Sequence, residues 1–137
     1  MLNDSFFVQA LGRLPSGNRI KGPLSLRARR IMNWLWEDAR IALQLIDEYV
    51  DPKKSLLEIG GGIGFVHIWL QRLGLDIISI EPSLAGHPQS FELGQALIER
   101  FKLDPARWIQ ISVKEIGIIQ RRFHLIFSYG VLEHVHD

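Results

Sequence analysis

From about Ser25 to Val50, apolar side chains recur at helical spacing, at Ile31, Leu35, Ala39, Ala42, Leu43, Ile46 and Val50, with Glu37, Asp38, Arg40, Asp47 and Glu48 between them. This pattern predicts one amphipathic helix, ended at Asp51-Pro52 because proline pushes the preceding residue out of the helical region. The pattern then changes to short runs that are apolar at nearly every position, alternating with stretches of helical period. In order these are strand "SLLEIG", helix "GFVHIWLQRLG", strand "DIISIE", helix "PQSFELGQALIERF", strand "WIQISV" and strand "FHLIFS". Strands that are apolar throughout predict a sheet covered on both faces, and their alternation with helices predicts parallel order. Between the last two strands, "KEIGIIQRR" carries a weaker pattern, a short helix or turn interrupted by Gly117.

Right-handed crossovers place the second and third strands on one side of the first and return the fourth to its other side. The expected fold class is therefore α/β, a Rossmann-like doubly wound parallel sheet with strand order 3-2-1-4. The direction of winding reverses between strands one and four, and ligands of such sheets bind in the crevice that opens there. Two segments must line it, Glu58–Gly64 and Ser128–Glu133.

Composition narrows the class. A chain of 137 residues, 47% hydrophobic, suits one domain with a real core. No apolar run approaches the roughly 20 residues of a membrane span, and the start lacks the pattern of a signal peptide, so a soluble cytoplasmic protein is expected. The lack of cysteine excludes disulfides and thiolate metal sites. The net charge of +1 hides an asymmetry: residues 1–30 carry six Lys or Arg against Asp4, so that segment is +5 and the remainder −4. Together with the Gly/Pro-rich "GRLPSGNRIKGP", this marks residues 1–24 as a basic N-terminal arm and residues 25–137 as the folded domain. Such an arm can attract anions, and a solvated terminus has the same composition; no aromatic residues interleave with the basic ones, so no nucleic-acid partner is expected.

The stretch "LLEIGGGIGF" holds four glycines in five positions directly after a strand. A dinucleotide fingerprint, G-x-G-x-x-G, fails here: counted from Gly60 its third glycine falls on Phe65, and from Gly62 on His67. No Lys-Ser or Lys-Thr follows, so a triphosphate-binding loop is also a poor fit. What fits is E-x-G-x-G-x-G, with Glu58, Gly60, Gly62 and Gly64. Glycines let the backbone turn with positive φ and let a ligand reach contact distance where a Cβ would block it.

This stretch resembles the first motif of the class I S-adenosyl-L-methionine-dependent methyltransferases. Two further features fall where that family has them. The second strand ends in Glu81, 17 residues after Gly64, at the position of the family's ribose-binding acid. The segment "FHLIFSYGVLEHV" resembles the post-strand motif F-D-L-I-x-S-x-x-V-L-E-H-V of the small-molecule branch that includes quinone-biosynthesis methyltransferases. The resemblance implies S-adenosylmethionine as cofactor, held by Glu58, Gly60, Gly61, Gly62, Gly64, Glu81, Pro82, Ser112, Val113, Ser128 and Tyr129, with Glu58 helping to hold the methionine ammonium directly or through water. It implies methyl transfer to a small molecule by in-line attack, with no metal.

Three departures accompany the resemblance. "ISVKEI" lacks an acid at the expected adenine position, which leaves Ser112 and backbone for that task, and His124 replaces an aspartate. The chain stops at "VLEHVHD", where the family fold continues with a helix and three strands. The expectation is therefore that the C-terminal strands are missing, from a fragment, a truncated product or a protein whose sheet a second chain completes, and strand four would be an exposed edge. His134 is a candidate general base. It lies two residues from His136, a spacing that diverges on a helix and so does not favour metal binding. Of the four tryptophans, Trp69 and Trp108 read as packing, whereas Trp34 and Trp36 cannot share a face and one of them is a candidate lid contact. The alternatives are an NAD(P)-binding oxidoreductase domain and a non-catalytic or partner-dependent fragment.

Overall fold

A computed structural model of the protein describes residues 26–82 and 90–131. The basic arm and "EHVHD" lie outside them. Within them, helix α1 (Leu26–Ile46) passes through a 3-10 turn (Asp47–Tyr49) into strand β1 (Ser55–Ile59). Helix α2 (Phe65–Arg72), strand β2 (Asp76–Ile80), helix α3 (Ser90–Arg100) and strand β3 (Trp108–Ile109) follow, and strand β4 (Leu125–Ser128) comes last. The four strands form one parallel sheet in the order β3-β2-β1-β4, the predicted 3-2-1-4 arrangement.

Side chains alternate across a strand, so the register divides the sheet into two faces. Leu56 and Glu58 align with Ile77 and Ser79 on one neighbour and with Leu125 and Phe127 on the other, and Ser79 aligns with Trp108. This face meets the helices. Ala39, Ala42 and Ile46 of α1, Phe65, Val66, Ile68 and Leu70 of α2, and Leu97 and Ile98 of α3 join Leu56, Ile77 and Trp108 in one buried cluster. The apolar stripe read along α1 is thus the stripe that docks, and Trp36 extends it with an edge-on contact to Phe65 at 6.0 Å. Trp34, on another side of the helix, is 60% exposed.

Coverage of the second face is uneven, unlike the expectation of a sheet covered throughout. Leu57 and Ile80 are buried there, but Ile126 of β4 is 55% exposed. Strand β3 is also shorter than its apolar run. The Ile111 N–H donates to the Ile109 carbonyl at 3.1 Å, which turns the chain away from β2. Ser112 and Glu115 then cap a 3-10 helix over Val113–Ile118, so Gly117 lies inside a short helix and does not interrupt one.

At the amino ends of the strands, Asp76 receives hydrogen bonds from Arg107, at 2.7 Å, and from Arg121. The Ser55 hydroxyl donates to the Arg122 carbonyl at 3.1 Å, so the segment entering β4 is held on both sides of β1. These contacts fix the end of the sheet opposite the glycine loop. Among the described residues no helix is long and apolar enough to cross a membrane.

Candidate functional site

The glycine loop extends the sheet before it turns. Gly60 and Gly61 N–H groups both donate to the Ile80 carbonyl, at 2.9 and 3.1 Å, and the Gly64 N–H closes back on the Gly61 carbonyl at 2.8 Å. Gly60, Gly62 and Gly64 have φ of +76°, +57° and +83°, a region in which a side chain is strained. Gly64 is the residue that starts α2, and no side chain caps that helix.

What lies against each glycine is specific. A Cβ on Gly60 would overlap a methyl of Val131, which follows β4. On Gly61 it would stand 2.6 Å from Trp108 Cζ3 and 3.2 Å from Glu58 Oε2, and on Gly64 3.4 Å from Trp108 Cη2. Among the described residues nothing lies within 4 Å of the position a Cβ would take on Gly62. The bareness expected to serve a ligand at several positions is therefore used by the protein's own packing at Gly60 and Gly61, while a Cβ on Gly64 would make only ordinary contact with the indole. Gly62 is the open one.

Two acidic side chains flank the loop. Glu81, just past β2, is buried, and its Oε2 accepts the Gly62 N–H at 2.8 Å. Its backbone N–H donates to the Ile109 carbonyl at 3.0 Å, which fixes the β2 end against β3, with Pro82 following. Glu58, on β1, points into the helix-covered face, and its Oε2 accepts from the Ser79 hydroxyl at 2.6 Å. Burial pushes the Glu58 carboxyl up to about 7; the Ser79 hydrogen bond opposes this and the nearby Glu81 charge adds to it. The resemblance gives Glu58 to the methionine ammonium, directly or through water, and the structure sets its carboxyl behind the loop, beside Gly61.

Behind Ser79 stands His67 of α2, whose Nδ1 lies 2.8 Å from the Ser79 hydroxyl. Burial pushes this imidazole down to about 4, Arg107 adds to the shift and Asp104 opposes it. Trp108 packs edge-on to His67 at 5.4 Å, stacks on Phe91 at 6.0 Å and donates its indole N–H to the Phe91 carbonyl at 3.1 Å. Its role is packing, as read from the sequence. What it packs, the underside of the glycine loop, was not anticipated, and neither were Ser79, His67 or Val131. The available signal was a polar residue inside each of two apolar runs, Ser79 in "DIISIE" and His67 in "GFVHIWLQ".

The remaining candidates divide. Ser128 ends β4 opposite Ile59, and among the described residues its hydroxyl is buried without a hydrogen-bond partner. Tyr129 is exposed next to it, and Gly130, at φ +65°, turns the chain so that Val131 covers Gly60. Ser112 and Val113 begin the 3-10 helix: the Ser112 hydroxyl accepts the Lys114 N–H at 3.2 Å, and the Glu115 carboxyl accepts the Ser112 N–H at 2.8 Å. The Ser112 hydroxyl expected at the adenine is thus an acceptor in a helix cap. His134 lies outside the described residues. Among the described residues no group of three or more His, Cys, Asp or Glu side chains could hold a metal ion.

A parallel 3-2-1-4 sheet with a glycine loop and an acid at the carboxyl ends of its central strands is a ligand-binding arrangement, and comparison identifies which. Residues 27–137 match the family model described as a methyltransferase domain. The chain belongs to that family. It is also similar to two uncharacterized proteins of Mycobacterium tuberculosis, from strains CDC 1551 / Oshkosh and ATCC 25618 / H37Rv. Each is 32% identical over 113 residues, covering 82% of this chain and 35% of the relative. The chain thus spans about a third of the length of the curated relatives it matches. No solved structure matches it. The family match covers the loop, both flanking acids and the β4 motif, so the candidate site lies wholly within the methyltransferase domain.

Proposed function

We propose that this methyltransferase domain uses S-adenosylmethionine and transfers its methyl group to a small-molecule acceptor. The observation that carries the reading is the open backbone at Gly62, with Glu81 bonded to its N–H and Glu58 beside the adjacent Gly61. The Glu81 carboxylate, with the Glu58 carboxyl beside it able to ionise, suits a cationic sulfonium and opposes a pyrophosphate, whose charge it would repel. The residues present fit the cofactor on two counts. Among the described residues, Gly62 leaves room that a Cβ would occupy, and the Ser128 hydroxyl at the end of β4 is a buried polar atom with no hydrogen-bond partner.

Glu81 would hold the ribose hydroxyls with its carboxylate, an acceptor that already fixes the loop through the Gly62 N–H. Gly62 backbone and Ser128 would meet the methionine end, and Tyr129 would face the acceptor. The cofactor supplies an electrophilic methyl group on a positively charged sulfur. The protein's part is then chiefly to hold and orient the two reactants, a contribution that can be large without a nucleophilic side chain. The small-molecule acceptor rests on the resemblance of "SYGVLEHV" to that branch. Calorimetric titration with S-adenosylhomocysteine and with NADH tests the reading: saturable binding of the first alone supports it, and binding of NADH alone would replace it with a dinucleotide site.

A further inference from the structure

Three polar side chains form a connected line inside the helix-covered face of the sheet. His67 and Ser79 are completely buried and Glu58 nearly so, in a layer otherwise filled by Leu56, Ile68, Ile77 and Trp108. Polar groups in such a layer cost stability relative to apolar ones of similar size, even when paired. Their arrangement has a direction. The Asp104 backbone N–H donates to Gln71 Oε1 at 2.9 Å, which turns the Gln71 amide nitrogen toward His67 Nε2, 3.4 Å away. With Nε2 as acceptor, the neutral imidazole carries its hydrogen on Nδ1 and donates it to Ser79, at 2.8 Å. Ser79 then has its own hydrogen to give to Glu58 Oε2, at 2.6 Å. Each donor in the line points toward Glu58.

The charged and titratable groups facing Glu58 are few. Glu81 stands at the end of β2, and His67 of α2 lies behind Ser79, with Arg107 and Asp104 acting on His67 from beyond. β3 contributes the Trp108 indole and β4 contributes Phe127, aligned with Glu58. Among the described residues no salt bridge reaches Glu58, so a cation arriving at the loop would be the charge that ionises it.

We propose that Ser79 and His67 are positioning residues that act through Glu58: their line of donors holds its carboxyl and sets how readily it gives up a proton when the cationic cofactor binds. On binding, the O–H bond of the Glu58 carboxylic acid breaks, the electron pair stays on oxygen and the proton passes to solvent. The inference rests on the S-adenosylmethionine reading and adds to it the means by which the site's charge is matched to the ligand.

Calorimetry of the whole chain with S-adenosylmethionine, in buffers of different ionisation enthalpy, reads the proton directly. About half a proton is released per cofactor at pH 7, since the Glu58 carboxyl is half protonated near there. Ser79→Ala removes the hydrogen bond that favours the ionised form and moves the titration up by about one unit. Binding is then about fivefold weaker at pH 7 and converges with wild type by about pH 9. Glu58→Gln shows no proton release at any pH. A Ser79→Ala loss equal at every pH, or binding without proton release in the wild type, would overturn the proposal. Carbon NMR of labelled glutamate carboxyls supplies a measurement without ligand: Glu58 titrates about one unit higher in Ser79→Ala, and an unmoved midpoint would also overturn it. Failure of the wild type to bind S-adenosylmethionine would contradict the functional reading instead, and the NMR titration would still decide the positioning role.

Discussion

A methyl group added at Gly61 meets Trp108 and Glu58, whereas the same group at Gly62 meets nothing among the described residues, though Gly62 has a positive φ and Gly61 does not. The two substitutions therefore separate packing from ligand contact. Gly61→Ala is expected to lower stability by about 1–3 kcal/mol, because the indole is held between the loop and α3 and has no room to shift. Gly62→Ala is expected to cost about 1–2 kcal/mol of backbone strain while blocking the space open to the cofactor. Thermal unfolding alongside cofactor titration checks both; a Gly62→Ala protein that binds normally would remove Gly62 from the site. Glu58 and His67 give stability a pH dependence of opposite signs. Raising the Glu58 carboxyl from 4.5 to about 7 makes the folded state hold the extra proton between those values, so stability falls as pH rises through that window. Lowering His67 from 6.5 to about 4 has the reverse effect: its contribution is present above 6.5 and is lost as pH falls toward 4. Between 4.5 and 6.5 the two largely cancel. Glu58→Gln removes one of them, so the variant should be more stable than wild type at pH 8, by about 1–3 kcal/mol, with the gain fading toward pH 4.5. Denaturant unfolding at both pH values measures this, and a gain that is the same at both would contradict the buried-acid explanation.

At the scale of elements, Trp108 couples β3 to α2 and α3. A Cβ on Gly94 of α3 would overlap Trp108 Cζ2 and stand 2.7 Å from Cε2, so helix and sheet meet through a bare glycine on one side and a flat indole on the other. Gly94→Ala is expected to destabilise the protein by about 1–3 kcal/mol, although alanine is the better helix former. Combined with Trp108→Leu its cost should shrink, and a double-mutant cycle measures the coupling; additive effects would show that the contact does not limit the packing. The elements themselves were legible because the period of apolar residues switches between 3.6 and an unbroken run, and crossover handedness then leaves one strand order. Where β3 ends was not legible. "WIQISV" is apolar enough for a longer strand, but the Ile111 N–H goes to Ile109 and not to β2, a choice made by the turn into the Ser112 cap. That Glu58, the glycines, Glu81 and Ser128 gather at the carboxyl ends of the strands was legible, since each ends or follows a strand. The depth of the site was not, because period places Glu58 on a face without saying that Ser79 and His67 share that face across neighbouring elements.

For the molecule as a whole, the two ends of the sheet are closed differently. Ion pairs close the amino ends of the strands, where Arg107 and Arg121 converge on Asp76. Buried acids close the carboxyl ends, where Glu58 and Glu81 stand beside the loop. The latter end is the one where the crevice of a doubly wound sheet opens, and it lies within the residues that match the methyltransferase family. The central claim is that this acidic end holds S-adenosylmethionine through the Gly62 backbone and Glu81. Its most direct test is calorimetric titration of wild type and Glu81→Gln with S-adenosylhomocysteine, with NADH as control. Saturable binding to the wild type is expected, with at least tenfold loss in Glu81→Gln as the ribose loses a charged acceptor worth about 1.5–3 kcal/mol, and no binding of NADH. Equal affinity in both proteins, or binding of NADH in preference, would contradict it.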